Sequence, residues 1–286
     1  MPVPPSIVEH LQVLASFGCL DLACIRKVNG TDIKAYENSL NIAFQPAADN
    51  TFTNDVRPFI TTGAFANVPI IIGTNSEEGR FYAAQDGLDD PATNQTIAQV
   101  IATLFPNNVT LQMQIIGLYL PLLSTLYRAT AAVYTDAFFL CPAASLVSAL
   151  ADNGYNIWRY YYRGVYPDLQ LFPDAGAYHA SDIAQVWGTY PSLNTIALST
   201  VEQAAVSRYM QTTWANFAKD PTAGPGWPQW PKVGNLLGLD SLLDMPTTGI
   251  LADIGGQNPM GMVLNSSAEI DAIRPLMSGA TSPLGI

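Results

Sequence analysis

Val68-Pro69-Ile70-Ile71-Ile72-Gly73-Thr74-Asn75-Ser76-Glu77-Glu78-Gly79-Arg80-Phe81-Tyr82 is the stretch whose reading decides the fold. Its first half is a short, nearly continuous apolar run, the pattern of a strand buried on both faces in a parallel sheet. A strand that ends in Gly-Thr-Asn and runs into acids and a glycine sets a carboxylate at the C-terminal edge of a sheet, where α/β enzymes build their sites. The same residues also read as a helix start, with Ser76 as the cap and Glu77 and Glu78 favouring the positive end of the dipole. Spacing leaves both readings open.

Outward from this stretch, helical and strand patterns alternate without repeats, which favours one α/β unit over separate modules. Upstream, Pro5–Ser16 reads as an amphipathic helix with Ile7, Val8, Leu11 and Leu14 at helical spacing and His10 on another face. Residues 44–66, rich in Pro, Asn and Thr, read as a long loop. Downstream, residues 110–150 have helical apolar spacing, with Pro121 and Pro142 as breaks or first-turn residues. The aromatic run Tyr155-Asn156-Ile157-Trp158-Arg159-Tyr160-Tyr161-Tyr162-Arg163 reads as a second strand. Residues 200–218 return to a helix with Val206, Met210, Trp214 and Phe217 inward, and the Pro-rich turn Trp227-Pro228-Gln229-Trp230-Pro231 ends it. Residues 266–277 read as one short capped helix.

Composition narrows the function. The 286 residues carry Lys+Arg 12 against Asp+Glu 23, a formal charge of −11, with 49% hydrophobic and 12% charged residues. Nucleic acid is excluded as the default partner, because neutralising phosphates needs clustered Lys and Arg. Attachment to an anionic membrane is disfavoured for the same reason. The apolar runs fall short of the roughly 18 residues that span a bilayer, so no integral membrane association is expected. No signal-peptide pattern stands at the N-terminus. Yet four glycosylation sequons occur, at Asn29, Asn94, Asn108 and Asn265, as in an extracellular protein. Cys19 and Cys24 in Gly18-Cys19-Leu20-Asp21-Leu22-Ala23-Cys24 are close enough for a small disulfide loop, whereas Cys141 in Phe138-Phe139-Leu140-Cys141-Pro142 reads as a buried thiol. With only two His and no ligand-spaced cluster, no metal or cofactor is expected.

A second chemical segment is Gly176-Ala177-Tyr178-His179-Ala180-Ser181-Asp182-Ile183. Ser181 or Asp182 looks like the N-cap of a short helix ending near Gly188, which puts His179 on the loop just before it. An acid followed roughly 100 residues later by a loop histidine is the chain order of the last two triad members in α/β-hydrolases.

These two segments resemble the catalytic-acid and catalytic-histidine segments of the type-B carboxylesterases, the family of carboxylesterases, cholinesterases and fungal lipases. Further likenesses run in family order. GCLDLACIRKV resembles the short disulfide loop with its leucine/arginine motif, TDAFFLCPAASLVSAL the helix with a Cys-Pro pair, and MQTTWANFAKDPTAGPGWPQWPKV the C-terminal tryptophan signature. The resemblance implies the C-terminal part of an α/β-hydrolase fold, a partial, mostly parallel mixed sheet flanked by helices. It implies Glu78, which precedes the glycine, as the catalytic acid and His179 as the base. Phe81 and Tyr82 match the aromatic positions that line the substrate pocket, and Asp182 matches an acidic position that supports the histidine loop.

The nucleophile is missing from this pattern. No Gly-x-Ser-x-Gly elbow and no Gly-rich oxyanion segment occurs, and in the family both precede the acid. The opening MPVPPSIVEHLQVLASFGC resembles the family's segment just C-terminal to the elbow and its next strand. Residues 1–286 are therefore expected to be the C-terminal portion of a single domain of a secreted ester hydrolase, inactive alone, with an unpaired sheet edge. A small-molecule or lipid carboxylic ester is the implied substrate; triglyceride, sterol, aryl and aliphatic esters all fit, and oligomeric state is not implied. Two other readings are a non-catalytic binding protein derived from an esterase, and a hydrolase using Cys141, whose apolar context predicts a raised thiol pKa unsuited to attack.

Overall fold

The computed structural model describes residues 5–40, 59, 62, 64, 66–121, 123, 125–227, 229–230 and 251–254. They belong to two compact units, divided after Phe59. The expected loop at residues 44–66 lies almost entirely outside the described residues, as do the expected helix at 266–277, the sequon Asn265, and the side chains of Ile7, Val8 and His10.

The first unit contains α1 (Pro5–Ser16), α2 (Leu22–Ile25) and α3 (Gly30–Leu40). On α1, Val13 and Leu14 are buried while Leu11 is 57% exposed, so the inward stripe is displaced from the one expected through Leu11. Asp21 caps α2 by accepting the Cys24 N–H at 2.8 Å, which turns the chain back on itself. That turn brings Cys24 to Cys19, and the two are joined by a disulfide with Cα atoms 5.4 Å apart.

Among its described residues the second unit holds a parallel sheet of three strands, β1 (Ile70–Asn75), β2 (Ile157–Tyr162) and β3 (Leu251–Ile254), in the order β1-β2-β3. Between β1 and β2 run α4 (Glu78–Gln85), α5 (Ile97–Leu104), α6 (Val109–Tyr119), α7 (Leu126–Thr135) and α8 (Cys141–Asp152). After β2 come α9 (Ile183–Val186) and α10 (Val201–Lys219). Strand alternation divides the partners: Ile70, Ile72 and Ile157 pack with Val147 and Leu150 of α8, while Tyr160 and Tyr162 meet Trp214 and Met210 of α10. The strand β2 is buried throughout except at Tyr160, whereas Ile70–Ile72 of β1 are half-buried, less covered than the apolar run predicts. The reason lies in the pairing: among the described residues β1 has one neighbour and β2 has two. The strand β3 went unread in the sequence because four residues carry too little periodicity.

The α5 and α10 helices begin at capping boxes, Thr96 with Gln99 and Thr200 with Gln203. On α10 Met210 is fully buried and Val206, Trp214 and Phe217 are half-buried, the expected inward face. The helix ends at Lys219, before the Trp227 turn.

Pro142 does not break its helix. Asp136–Leu140 forms a π-helical turn, in which the Cys141 N–H donates to the carbonyl five residues back at Asp136, and the helix runs on into α8. A proline inside an α-helix collides with the carbonyl four residues earlier, and the wider turn placed just before Pro142 relieves that collision. The continuous helix Leu126–Asp152 is long and apolar enough to cross a membrane, although half of its apolar window is buried inside the protein. Cys141 is buried at the start of α8.

Candidate active site

Asn75 ends β1 and Glu78 begins α4, so the two-residue link Ser76-Glu77 aims the Glu78 carboxylate back over the strand edge. One oxygen of Glu78 accepts the Asn75 N–H at 2.7 Å, and the other lies 2.7 Å from Nδ1 of His179. Glu78 is buried and the His179 side chain is 39% exposed. Sequence positions 101 apart thus meet at one sheet edge. Among the described residues Nε2 of His179 makes no hydrogen bond.

The glycine after the acid has a steric cause. A Cβ on Gly79 would lie 2.0 Å from the Ala131 carbonyl oxygen and 2.6 Å from Tyr134 Cβ, so α4 can pack on α7 only through a bare backbone. The same approach lets the Gly79 N–H donate to Thr135 Oγ1 at 2.9 Å.

Ser76 does not cap α4, contrary to the sequence reading. The N-cap position belongs to Glu77, which makes no side-chain cap, and the Ser76 hydroxyl donates to the Glu77 carboxylate instead. Glu77 is occupied by the histidine loop: it accepts the Ala177 N–H at 2.9 Å, and its backbone bridges to Tyr178 as an extension of the sheet. Arg80 completes this support by donating to the Asp174 carbonyl at 2.9 Å and its carboxylate at 3.0 Å, and Arg128 donates to both oxygens of that carboxylate.

The other end of the loop is fixed by Asp182. It is the N-cap residue of α9 by position but makes no cap hydrogen bond. Its two oxygens accept from Asn75 Nδ2 at 3.2 Å and from the Tyr160 hydroxyl at 3.1 Å, and Asn75 Nδ2 also reaches the Tyr178 carbonyl at 2.8 Å. Gly188, at φ +65°, stands just past the end of α9, as expected. Between these anchors Ala180 takes φ 71°, a left-handed conformation costly for a residue with a Cβ, directly after His179.

Aromatic rings close around the imidazole. Ring centroids of Tyr82 and Phe81 lie 5.4 and 6.5 Å from that of His179, and Phe139 lies nearest of the three at 5.0 Å. Phe139 was missed in the sequence, where it read only as one apolar residue of a long helix. Asn75, Arg80 and Asp174 were missed too, and the polar end of an otherwise buried strand was the one available signal.

The Glu78 hydrogen bond lifts the His179 pKa above the usual imidazole value; partial burial opposes it, and the charges of Glu78 and Asp182 add to it. Burial, then the Glu78 charge, raises the Tyr82 phenol. A buried carboxylate bonded to one ring nitrogen of a partly exposed imidazole is an arrangement that can serve general-base chemistry. Among the described residues no group of three His, Cys, Asp or Glu is placed to hold a metal ion.

Comparison with known proteins places the chain. The carboxylesterase family model matches residues 11–242. The chain is 28% identical over 210 residues to the chlorogenic acid esterase of Aspergillus niger, covering 72% of this chain and 34% of the relative. It is 26% identical over 230 residues to secreted lipase 5 of Gibberella zeae (strain PH-1), covering 73% and 36%. A solved PNB esterase superposes with TM-score 0.57 at 22% identity, covering 77% of this chain and 46% of that one. The chain spans about a third of the length of these curated relatives and under half of the solved one.

Proposed function

Because the chain belongs to the carboxylesterase family and has part of an α/β-hydrolase fold, we propose that Glu78 and His179 are the acid and base of a carboxylic ester hydrolase whose serine lies outside these residues. The observation that carries the reading is the 2.7 Å contact between His179 Nδ1 and an oxygen of the buried Glu78, in an imidazole side chain that is itself partly exposed. No Gly-x-Ser-x-Gly occurs in the sequence, and Ser76 and Ser181 are both buried, with Ser76 bonded to Glu77. Residues 1–286 are on this reading the C-terminal portion of one hydrolase domain.

In the proposed cycle the serine oxygen attacks the ester carbonyl carbon while His179 Nε2 takes the hydroxyl proton. The bond to the alcohol oxygen breaks as Nε2 returns that proton to it, leaving an acyl-serine. Water then attacks the acyl carbon while Nε2 takes one of its protons, and the bond to the serine oxygen breaks as Nε2 returns that proton to it, releasing the carboxylic acid and the free serine. Glu78 accepts the hydrogen bond of the Nδ1–H, which keeps that proton on the ring, and so stabilises the imidazolium. Phe81 and Tyr82 supply apolar surface beside the base for an acyl or alcohol group.

A secreted parent is supported by the Cys19–Cys24 disulfide, by the exposed sequon asparagines Asn29, Asn94 and Asn108, and by the likeness to a secreted lipase.

Hydrolysis of p-nitrophenyl esters tests the reading. The chain as given is expected to match its His179→Ala variant at the buffer rate. The same chain joined to an upstream segment that carries the serine elbow is expected to hydrolyse the ester, and to lose that activity with His179→Ala. Histidine-dependent turnover by the 286 residues alone refutes the external serine; histidine-independent turnover by the joined protein refutes the base.

A further inference from the structure

We infer that Phe139, presented by the π-helical turn, is a positioning residue for His179, an assignment that rests on the reading of His179 as the base. Three rings touch pairwise at this point: Phe139 with His179 at 5.0 Å, Tyr82 with His179 at 5.4 Å, and Phe139 with Tyr82 at 5.8 Å. The imidazole is thus braced by two aromatic side chains from different elements, α4 and the turn, while Glu78 holds its Nδ1 edge. A hydrogen bond at one nitrogen leaves the ring able to swing about that contact, and the two tilted rings packed against it restrict that freedom.

The π-turn explains how a residue so far along the helix reaches the site. Ala131 and Thr135 form the stripe of α7 that meets Gly79 of α4. In a regular α-helix each step of four residues drifts by about 40°, so position 139 would stand roughly 80° away from the Ala131 direction. The wider turn, marked by the Cys141 N–H to Asp136 carbonyl bond, advances fewer degrees per residue and returns Phe139 toward the stripe. The adjacent Phe138 packs elsewhere, on Tyr134 at 5.8 Å. Phe139 itself is only half-buried, unlike Leu140 beside it at 4% exposure, so its ring is not consumed by the core.

The chain has only two histidines, so 15N-histidine labelling of the full 286 residues gives two imidazoles, and His179→Ala assigns the one of interest. In the parent chain His179 is expected to show an Nδ1-protonated ring with a hydrogen-bonded, downfield proton that Glu78→Gln abolishes. If Glu78→Gln changes nothing, the acid–base reading itself fails. Given that signal, Phe139→Leu is expected to weaken the downfield proton and lower the titration midpoint of His179, and Phe139→Tyr to restore both, with unchanged far-ultraviolet dichroism. Phe139→Met, which keeps volume without an aromatic face, serves if the Leu variant does not fold. Wild-type His179 signals in the Leu or Met variant overturn the assignment of Phe139 while leaving Glu78 and His179 intact.

Discussion

Asp136 opens the π-turn with a carboxyl that is 3% exposed and accepts the Tyr119 hydroxyl at 2.6 Å. Burial raises its pKa from 3.8 to about 7, and the Tyr119 bond, which favours the ionised form, opposes this only in part. In the unfolded chain the group ionises near its ordinary value, so between pH 4 and pH 7 the folded state holds a proton that the unfolded state has lost. Folding stability is then fully present below the unfolded pKa, falls as pH rises, and levels off above the folded pKa. The difference, 7 − 3.8 or about 3 pKa units, amounts to about 4 kcal/mol at about 1.36 kcal/mol per unit. Asp136→Asn keeps an oxygen for Tyr119 and cannot ionise. The new amide N–H adds a desolvation cost that is the same at every pH, so the informative quantity is the pH dependence of the difference between variant and parent. About two of those units lie above pH 5, so between pH 5 and pH 8 the variant should gain about 3 kcal/mol relative to the parent. Urea unfolding followed by tryptophan fluorescence at both pH values reads this, and the titration of His179 cancels because both proteins share it. A difference that is the same at pH 5 and pH 8 refutes the buried, proton-holding carboxyl.

Two further substitutions test the frame of the site. Gly79→Ala forces a methyl to within 2.0 Å of a backbone carbonyl that cannot swing aside, and should cost about 1–3 kcal/mol, lowering the melting temperature by about 2–4 °C per kcal/mol; an unchanged melting curve refutes the close packing of α4 on α7. Glu78→Gln removes the main cause of the raised His179 pKa, so the stability that this pair adds, present below the ordinary imidazole pKa and lost as pH rises through the folded one, should disappear. Its stability deficit is therefore expected to be larger at pH 5.5 than at pH 9, and equal deficits refute the coupling.

Much of the site was legible in the sequence because its segments are local. The apolar run ending in Gly73-Thr74-Asn75 announced β1, and two acids followed by Gly79 announced the turn into α4. The family resemblance then distinguished Glu78 from Glu77, a choice that spacing alone left open. Capping went astray at Ser76, and Asp182 holds the expected N-cap position without making the cap bond, since local rules assume that a polar side chain at a helix start is available to its own backbone. Here the side chains are claimed from elsewhere, Ser76 by the Glu77 carboxylate and Asp182 by Asn75 and Tyr160. Pro142 stands in the first turn of α8, one of the two places its reading allowed, but the π-turn that lets the helix run through it has no sequence signature of its own.

The sequence by itself determined the alternation of helices and strands, the acidic and charge-poor composition, the family, and the two residues, Glu78 and His179, that are proposed as acid and base. These depend on side-chain type and short-range spacing, which a linear chain carries in full. Tertiary structure decided what no spacing could: that residues 101 apart share a 2.7 Å contact, that Gly79 exists for the approach of α7, and that a ring from a π-turn braces the imidazole. Each of these is a meeting of distant segments, set by how the sheet and its helices pack.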